Sequence, residues 1–264
     1  MKLSERAKYC ILLGTIVVVL IGTIFVPPIP QDALYHRFAD QRKMLGIPNF
    51  WNVITNIPFF FIGLIGIGLI QLRKMPGGLS EIRIGYLTFF IGMVGAAFGS
   101  SYYHLNPSNQ TLFWDRLPMT IAFMAFCSVI VGEYLSIEFG RRLLWPLVGI
   151  GFLSVIYWAY TQGLGRGDLR PYAIVQFLPG LLIPMVLLMF RSAFTSSNYI
   201  WGMLASYILA KVAEALDGQI FDALGVISGH SIKHLIAAVG GILFCLALTD
   251  RQTVGPVARH PMAD

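Results

Sequence analysis

Eight long apolar stretches, joined by short links, constrain what this chain can fold into. Each is close to the roughly 20 residues that an α-helix needs to cross the hydrocarbon core of a bilayer. The stretches cover residues 8–26, 51–72, 82–103, 115–137, 143–161, 171–190, 199–216 and 229–249. The sequence therefore predicts an all-α, polytopic membrane helix bundle with about eight spans.

The composition excludes a soluble domain. Hydrophobic residues make up 56% of the chain and charged residues only 12%, whereas a soluble domain carries about 25% charged residues. A chain with so few charges cannot cover a soluble surface, so nucleic-acid binding, a disulfide scaffold and a secreted enzyme are excluded as well. Cys10, Cys127 and Cys245 lie in apolar runs and are expected to behave as small hydrophobic residues.

The short links predict that residues 1–264 form a single membrane domain. Residues 1–30 hold the first helix, and the absence of a small-x-small cleavage site disfavours a signal peptide there. Residues 250–264 form a polar tail. The seventh stretch is the least regular span, because it contains Lys211 and Glu214.

Loop charges indicate the orientation. The chain carries 19 Lys and Arg against 13 Asp and Glu, a net charge of +6. When the N-terminus is placed inside, most of these basic residues fall on the inner side, as the positive-inside rule requires. We therefore expect both termini in the cytoplasm, and the short basic loops favour a bacterial inner membrane.

Polar residues gather at one side of this topology. An ionisable group inside a membrane costs roughly 2.5–3.5 kcal/mol on insertion scales and marks a functional site by default. On the eight-helix topology, the outer helix ends carry Asp40, Asn49, Asn52, Asn56, Ser100, Ser101, Tyr102, Tyr103, His104, Asp115, His230 and His234. Because the topology comes from hydropathy alone, their convergence predicts a site at the outer end.

Histidine spacing suggests what the site binds. His230 and His234 are four residues apart and share one helical face, as Ser100 and His104 do. Two imidazoles one turn apart can hold a single metal ion, and His104 would complete a set of three. Three histidines and a water form the pattern of a catalytic zinc site. The remaining histidines, His36 in the first outer loop and His260 in the tail, lie apart from this set.

Structural explanations exist for the same residues. Histidines at helix ends can be interfacial anchors. Asp115 can be an N-cap that precedes a first-turn proline, Pro118. Ser100 can be a packing residue or bond back to the preceding turn. Around the seventh outer end, Lys211 could pair with Glu214, and the acidic residues there, Glu214, Asp217 and Asp222, could simply be solvated.

Three blocks of the sequence resemble the alkaline ceramidase family, part of a membrane-hydrolase superfamily that includes adiponectin-receptor-like proteins. The first block is residues 40–56. The second is Gly-Ser-Ser-Tyr-Tyr-His at 99–104, followed by Asp-Arg-Leu-Pro-Met at 115–119. The third is Gly-His-Ser-Ile-Lys-His at 229–234. The resemblance extends over about residues 40–248.

The resemblance implies a seven-helix core at residues 40–249, preceded here by one extra N-terminal transmembrane helix. It also implies an intramembrane zinc amidase that cleaves the N-acyl bond of ceramide to a sphingoid base and a fatty acid. Carried over residue by residue, it implies His104, His230 and His234 as zinc ligands, Asp115 as the catalytic carboxylate and Ser100 as the polar group beside the metal.

The first block departs from the family. Eukaryotic members bind calcium through an acidic cluster ahead of their first helix. Here Asp40 is followed by Gln41, Arg42 and Lys43, and Asn49 stands where a Glu would be expected. A cationic pair disfavours a hard divalent cation that prefers oxygen ligands. Asp40 and Asn49 are therefore at most a remnant of a calcium site, and calcium binding is doubtful.

We expect zinc-dependent hydrolysis of ceramide or a related N-acyl lipid. In this scheme zinc activates the carbonyl and water, Asp115 moves the proton, and Ser100 donates to the developing oxyanion. Two alternatives stay open: a zinc-containing receptor-like or lipid-binding protein of the same superfamily, and a lipid acyl-ester hydrolase. The sequence does not define the headgroup, the acyl length or the oligomeric state.

Overall fold

The computed structural model describes residues 3–254, which form an all-α bundle without a β-strand. The prediction of an all-α membrane bundle is confirmed. His260 and most of the predicted polar tail lie outside the described residues. The helices are α1 (Glu5–Phe25), α2 (Phe50–Ile54), α3 (Ile57–Gln71), α4 (Arg83–Leu105), α5 (Asn109–Tyr134), α6 (Ile137–Gly163), α7 (Arg170–Met189), α8 (Asn198–Ala215), α9 (Asp217–Leu224) and α10 (Gly229–Asp250).

Within residues 3–254, seven helical segments are long and apolar enough to cross a membrane. They are Glu5–Phe25, Phe50–Gln71, Ser80–Leu105, Asn109–Tyr134, Ile137–Gly163, Arg170–Met189 and Gly229–Asp250. Helices α8 and α9 meet at 77° and pass the same test only as a pair, which gives eight spans if the bent pair is one. The chain is therefore an integral membrane protein, and its bent span is the stretch that contains Lys211 and Glu214.

Helix α5 begins earlier than the hydropathy indicated. Ser108 caps it in a capping box. The Ser108 hydroxyl accepts the backbone N–H of Thr111, and the Thr111 hydroxyl accepts the backbone N–H of Ser108. Asp115 and Pro118 consequently lie inside the helix. The interpretation of Asp115 as an N-cap with a first-turn proline is wrong, because the capping box places the N-cap at Ser108, seven residues earlier.

A close approach between α4 and α5 positions the polar residues of these two helices. Pro118 has no N–H to donate to the carbonyl of Trp114, one turn before it. The backbone of Gly99 packs against that carbonyl so closely that a Cβ there would lie 2.0 Å from the Trp114 oxygen. Only glycine allows this contact, and it brings Ser100 of α4 to the turn of α5 that carries Asp115.

The first helix lies at the edge of the bundle. Leu12 is its one buried residue, and most of its other apolar side chains are exposed, as expected of a helix largely surrounded by lipid. Tyr9 contacts Phe190 at the end of α7, with ring centroids 5.2 Å apart. The core, by contrast, lies mainly between α3, α4, α5, α7, α8 and α10. Phe89 and Phe90 of α4, Phe126 of α5 and Phe244 of α10 pack against one another there.

Candidate metal centre and cavity

Three histidines meet at one end of the bundle. His104 comes from the last turn of α4, and His230 and His234 come from the first two turns of α10. One nitrogen from each ring can be chosen so that all three lie within 4.8 Å of one another. All three side chains are buried, and no other cluster of potential metal ligands occurs in residues 3–254.

Two of these imidazoles carry nitrogens without a partner. His104 Nδ1 and His230 Nε2 are buried and make no hydrogen bond. A buried polar atom left unpaired costs about 1–3 kcal/mol, so such atoms are rare and require an explanation. Imidazole nitrogen is a preferred ligand of zinc, and three histidines are a known donor set for it. The unpaired nitrogens and the donor set therefore fit a bound metal ion.

The third imidazole is held by a threonine. The Thr55 hydroxyl donates its single hydrogen to the Trp51 carbonyl, with an O···O distance of 2.6 Å. His234 Nδ1 lies 3.0 Å from the same hydroxyl oxygen, which can therefore only accept. Nδ1 must then carry the proton, which leaves the Nε2 lone pair of His234 free for a ligand bond. Metal-bound histidines are usually oriented in this way by a partner at the second ring nitrogen.

The backbones of the other two histidines are also fixed. Asn49 Nδ2 donates to the carbonyl of His104 at 2.8 Å. Asp217, at the bend between α8 and α9, accepts the N–H of His230 at 2.6 Å and the N–H of Ala39 at 2.9 Å. The interpretation of Asp217 as a solvated residue is therefore wrong, because its carboxylate ties the loop between α1 and α2 to α10.

A charged triad lies beside the histidines. Glu214 of α8 is paired with both Lys211 and Lys233, so the suggested Lys211–Glu214 pair is confirmed and gains a second lysine. Lys233 directly precedes His234 in α10. All three side chains line the cavity described below, and the interpretation of Glu214 as a freely solvated residue is wrong.

Asp115 and Ser100 face a common cavity of about 490 Å³. His234 lines the same cavity. Ser100 is buried, and its position at the cavity wall makes it available to a ligand. Away from this polar end the wall is apolar and reaches mid-bundle, with Phe89, Met93, Phe126, Ile183 and Met203 among its residues.

One wall of the cavity lies between α7 and α8. Phe177 and Gly180 of α7 and Leu204 and Tyr207 of α8 line both this cavity and a smaller groove of about 350 Å³. The Phe177 side chain is half exposed. These four residues therefore form the boundary between the cavity and the groove.

The two residues suggested as a calcium-site remnant have other partners. Both carboxylate oxygens of Asp40 accept from the Arg42 guanidinium, at 2.8 and 2.7 Å, and this pairing lowers the pKa of Asp40. Arg42 also donates to the carbonyls of Gly225 and Val226. The amide of Asn49 is directed at His104, as described above. The positive charge at this place is thus supplied by arginine.

The fold and the site together define an integral membrane protein with a buried histidine cluster at the end of an apolar cavity. A family model described as Ceramidase matches residues 46–213. The chain belongs to the Ceramidase family, and the predicted membership is confirmed. No curated protein and no solved structure matches the chain significantly. Membership implies a membrane hydrolase of amide bonds that acts on ceramide.

The matched segment contains Ser100, His104 and Asp115 and ends before His230 and His234. It is the fold that brings the last two histidines to the first. Sequence reasoning missed Thr55 and Lys233 and misjudged Asp217. Thr55 lies between Asn52 and Asn56, in a stretch that the sequence analysis had already identified as polar. Its place in that stretch is the one sequence feature that could have indicated its role.

Proposed function

We propose that this protein is a zinc-dependent amidase that hydrolyses the N-acyl bond of ceramide or a related N-acyl lipid. The observation that carries the proposal is the buried cluster of His104, His230 and His234, with unpaired nitrogens, beside the Asp115 carboxyl. These three histidines would hold the metal. When bound, zinc supplies a Lewis acid for carbonyl polarisation and water activation.

Asp115 is the proposed proton carrier. Its carboxylate lines the cavity near His234 and can take a proton at one oxygen from the attacking water. The same oxygen can then give the proton to the leaving nitrogen, so that an amine departs instead of an amide anion. The carboxylate thus ends the reaction in the protonation state in which it began.

Ser100 is the proposed oxyanion donor. Ser100 lines the same cavity as Asp115, on the neighbouring helix. Rotation about the Cβ–Oγ bond turns the hydrogen towards the substrate carbonyl oxygen, where negative charge develops. A donor that is already in place at that position stabilises the transition state more than the ground state.

The apolar wall of the cavity supports a lipid substrate. The lining extends from His234 and Asp115 to apolar residues such as Phe126 and Met203, which suits an acyl chain. The wall between α7 and α8 would let a two-chain lipid enter sideways from the bilayer. A receptor that only binds lipid would not need a carboxyl group at the metal end of such a cavity, which favours the hydrolase.

We further propose that residues 40–249 form the catalytic core, with residues 1–30 as an added peripheral helix. The loop charges support cytoplasmic termini and a site that opens towards the outer face of a bacterial inner membrane. On this proposal neither Asp40 nor Asn49 binds calcium, since Arg42 already occupies the Asp40 carboxylate.

The test is metal content and ceramide hydrolysis measured together on detergent-purified protein. Wild type should hold about one zinc per chain and release fatty acid, as one three-histidine site predicts. His230→Ala should lose both, whereas Asp115→Asn should keep the metal and lose the activity. Asp222→Asn, which changes an exposed carboxylate on α9, is the control and should behave as wild type.

Zinc binding without cleavage of any acyl amide or ester would favour the receptor-like alternative. Cleavage of esters alone would favour the ester hydrolase. Wild type that holds no metal would overturn the site itself.

A further inference from the structure

Asn56 carries an unpaired acceptor beside the metal end of the cavity. Its side chain is fully buried, at 0% exposure, and the residue lines the same cavity as Ser100, Asp115 and His234. Its Oδ1 makes no hydrogen bond. The preceding residue, Thr55, is the one that holds His234. Asn56 is therefore at the level of the histidine cluster.

The orientation of the Asn56 amide is fixed by its neighbours. Nδ2 donates to the carbonyl of Asn52 at 2.7 Å, which identifies the opposite atom as the oxygen. Asn52 is itself held, because Ser231 of α10 donates to its Oδ1 at 2.6 Å and its Nδ2 reaches the carbonyl of Asp40. The Asn56 oxygen is therefore held in one position, and no protein group donates a hydrogen bond to it.

A buried amide oxygen of this kind selects ligands that bring a hydrogen-bond donor. A ligand that places an N–H against this oxygen gains a hydrogen bond, whereas a ligand without a donor leaves the oxygen unpaired. An N-acyl amide has an N–H next to the scissile bond, whereas the corresponding ester has only an oxygen there. A site built to bond an N–H rejects an analogue that lacks it.

We propose that Asn56 Oδ1 accepts the N–H of the scissile amide and is the residue that makes this site an amidase rather than an esterase. The inference rests on the proposed hydrolase function and deepens it, since it names the amide bond as the feature that the site recognises. The bond also orients the nitrogen, so that its lone pair can turn to the proton that Asp115 delivers.

The test compares two substrates on three proteins. The substrates are ceramide and a matched ester, in which oxygen replaces the amide N–H and both hydroxyls are kept. Asn56→Leu should lower kcat/KM for the amide about 10- to 100-fold and leave that for the ester unchanged. Gln176→Leu, the same type of change elsewhere in the cavity wall, should leave the amide-to-ester ratio of wild type unaltered.

A binding measurement on zinc-stripped protein separates this inference from the proposed function. Stripped wild type should bind the amide at least about tenfold tighter than the ester, and Asn56→Leu should bind both alike. If wild type cleaves neither substrate yet shows this preference, the hydrolase proposal fails and the Asn56 assignment stands. Equal binding of amide and ester by wild type, or equal loss of both activities in Asn56→Leu, overturns the assignment.

Discussion

The two ends of α10 carry polar clusters that differ in how completely they are paired. At the C-terminal end, Arg251 and Glu133 form a doubly bonded ion pair, with N···O distances of 2.9 and 2.8 Å and both side chains at 0% exposure. Arg251 also donates to the carbonyls of Gly77 and Ala247, and Tyr86 donates to Glu133. This network satisfies its own charges.

The N-terminal end of the same helix is different. His104 Nδ1, His230 Nε2 and Asn56 Oδ1 are buried there without partners. Both clusters bury polar atoms, but only at the C-terminal end does the protein itself supply their hydrogen-bond partners. The comparison teaches that burial alone does not mark a functional site in this bundle. Missing partners around a cavity do, because a ligand must supply them.

The largest effect on stability should come from removing one partner of the Glu133–Arg251 ion pair. Glu133→Ala leaves the Arg251 charge buried and unpaired, which is expected to cost about 3–5 kcal/mol of unfolding free energy. The double variant Glu133→Leu with Arg251→Met should recover most of that loss, since no charge remains to be paired. Chemical unfolding in detergent measures both effects.

The comparison also predicts what these variants leave intact. Zinc affinity of the folded fraction should match that of wild type, because the network lies at the opposite end of α10 from the histidines. A loss below about 1 kcal/mol for Glu133→Ala would mean that the network is hydrated and would remove the contrast between the two ends.

An intermediate effect should come from the histidine end. Thr55→Val removes the acceptor of the His234 Nδ1–H and keeps the shape of the side chain, so zinc affinity should fall about 10- to 100-fold. Thr55→Ser keeps the hydroxyl and should restore most of the affinity. Chelator competition measures both without any need for activity.

A matched control exists for Thr55. Thr88 of α4 makes the same type of bond to a backbone carbonyl, from its hydroxyl to Ile84, and contacts no histidine. Thr88→Val should therefore leave zinc affinity unchanged. If the two valine variants lose zinc affinity equally, the Thr55 effect reflects general loosening of the bundle, and the tautomer assignment for His234 fails.

Hydropathy was sufficient for the bundle and insufficient for its details. Apolar stretches of the right length predict helices whatever their neighbours do, and so the spans were found from sequence. The start of α5 was misplaced, because the capping box of Ser108 and Thr111 acts through local bonds that hydropathy does not register. The 77° bend between α8 and α9 was likewise invisible, although Lys211 and Glu214 showed that this span was unusual.

The site residues likewise divide into those that the sequence identified and those that only the structure identified. The histidines and Asp115 are chemically distinctive residue types in an apolar chain, so their spacing was informative. Thr55 and Asn56 are common residues whose roles depend on which atoms remain unpaired after folding, and that is a property of three-dimensional contacts. Asp217 was misjudged because its partners, Ala39 and His230, are distant from it along the chain.

The smallest effect on stability should come from the ion pair of Asp168 and Arg170, which is only partly buried. Asp168, in the loop between α6 and α7, is buried, but its partner Arg170 reaches the surface. Hydrogen bonds from Arg170 lower the pKa of Asp168 to about 2. Arg170 also donates to the carbonyl of Val26, so this pair helps to fasten the end of α1 to the core.

The sign of the pH effect follows from that shift. The carboxyl has a lower pKa in the folded state than the value of about 3.9 in the unfolded chain, so it stabilises the fold fully above about pH 4. This contribution is lost as the pH falls through about 2. The melting temperature of wild type in detergent should therefore drop more steeply between about pH 4 and pH 2 than that of Asp168→Asn, which lacks the titrating group.

Asp222→Asn, which alters an exposed carboxylate, should retain the wild-type slope. Identical slopes for wild type and Asp168→Asn would show that this partly exposed pair contributes nothing measurable, in contrast to the fully buried network at Arg251.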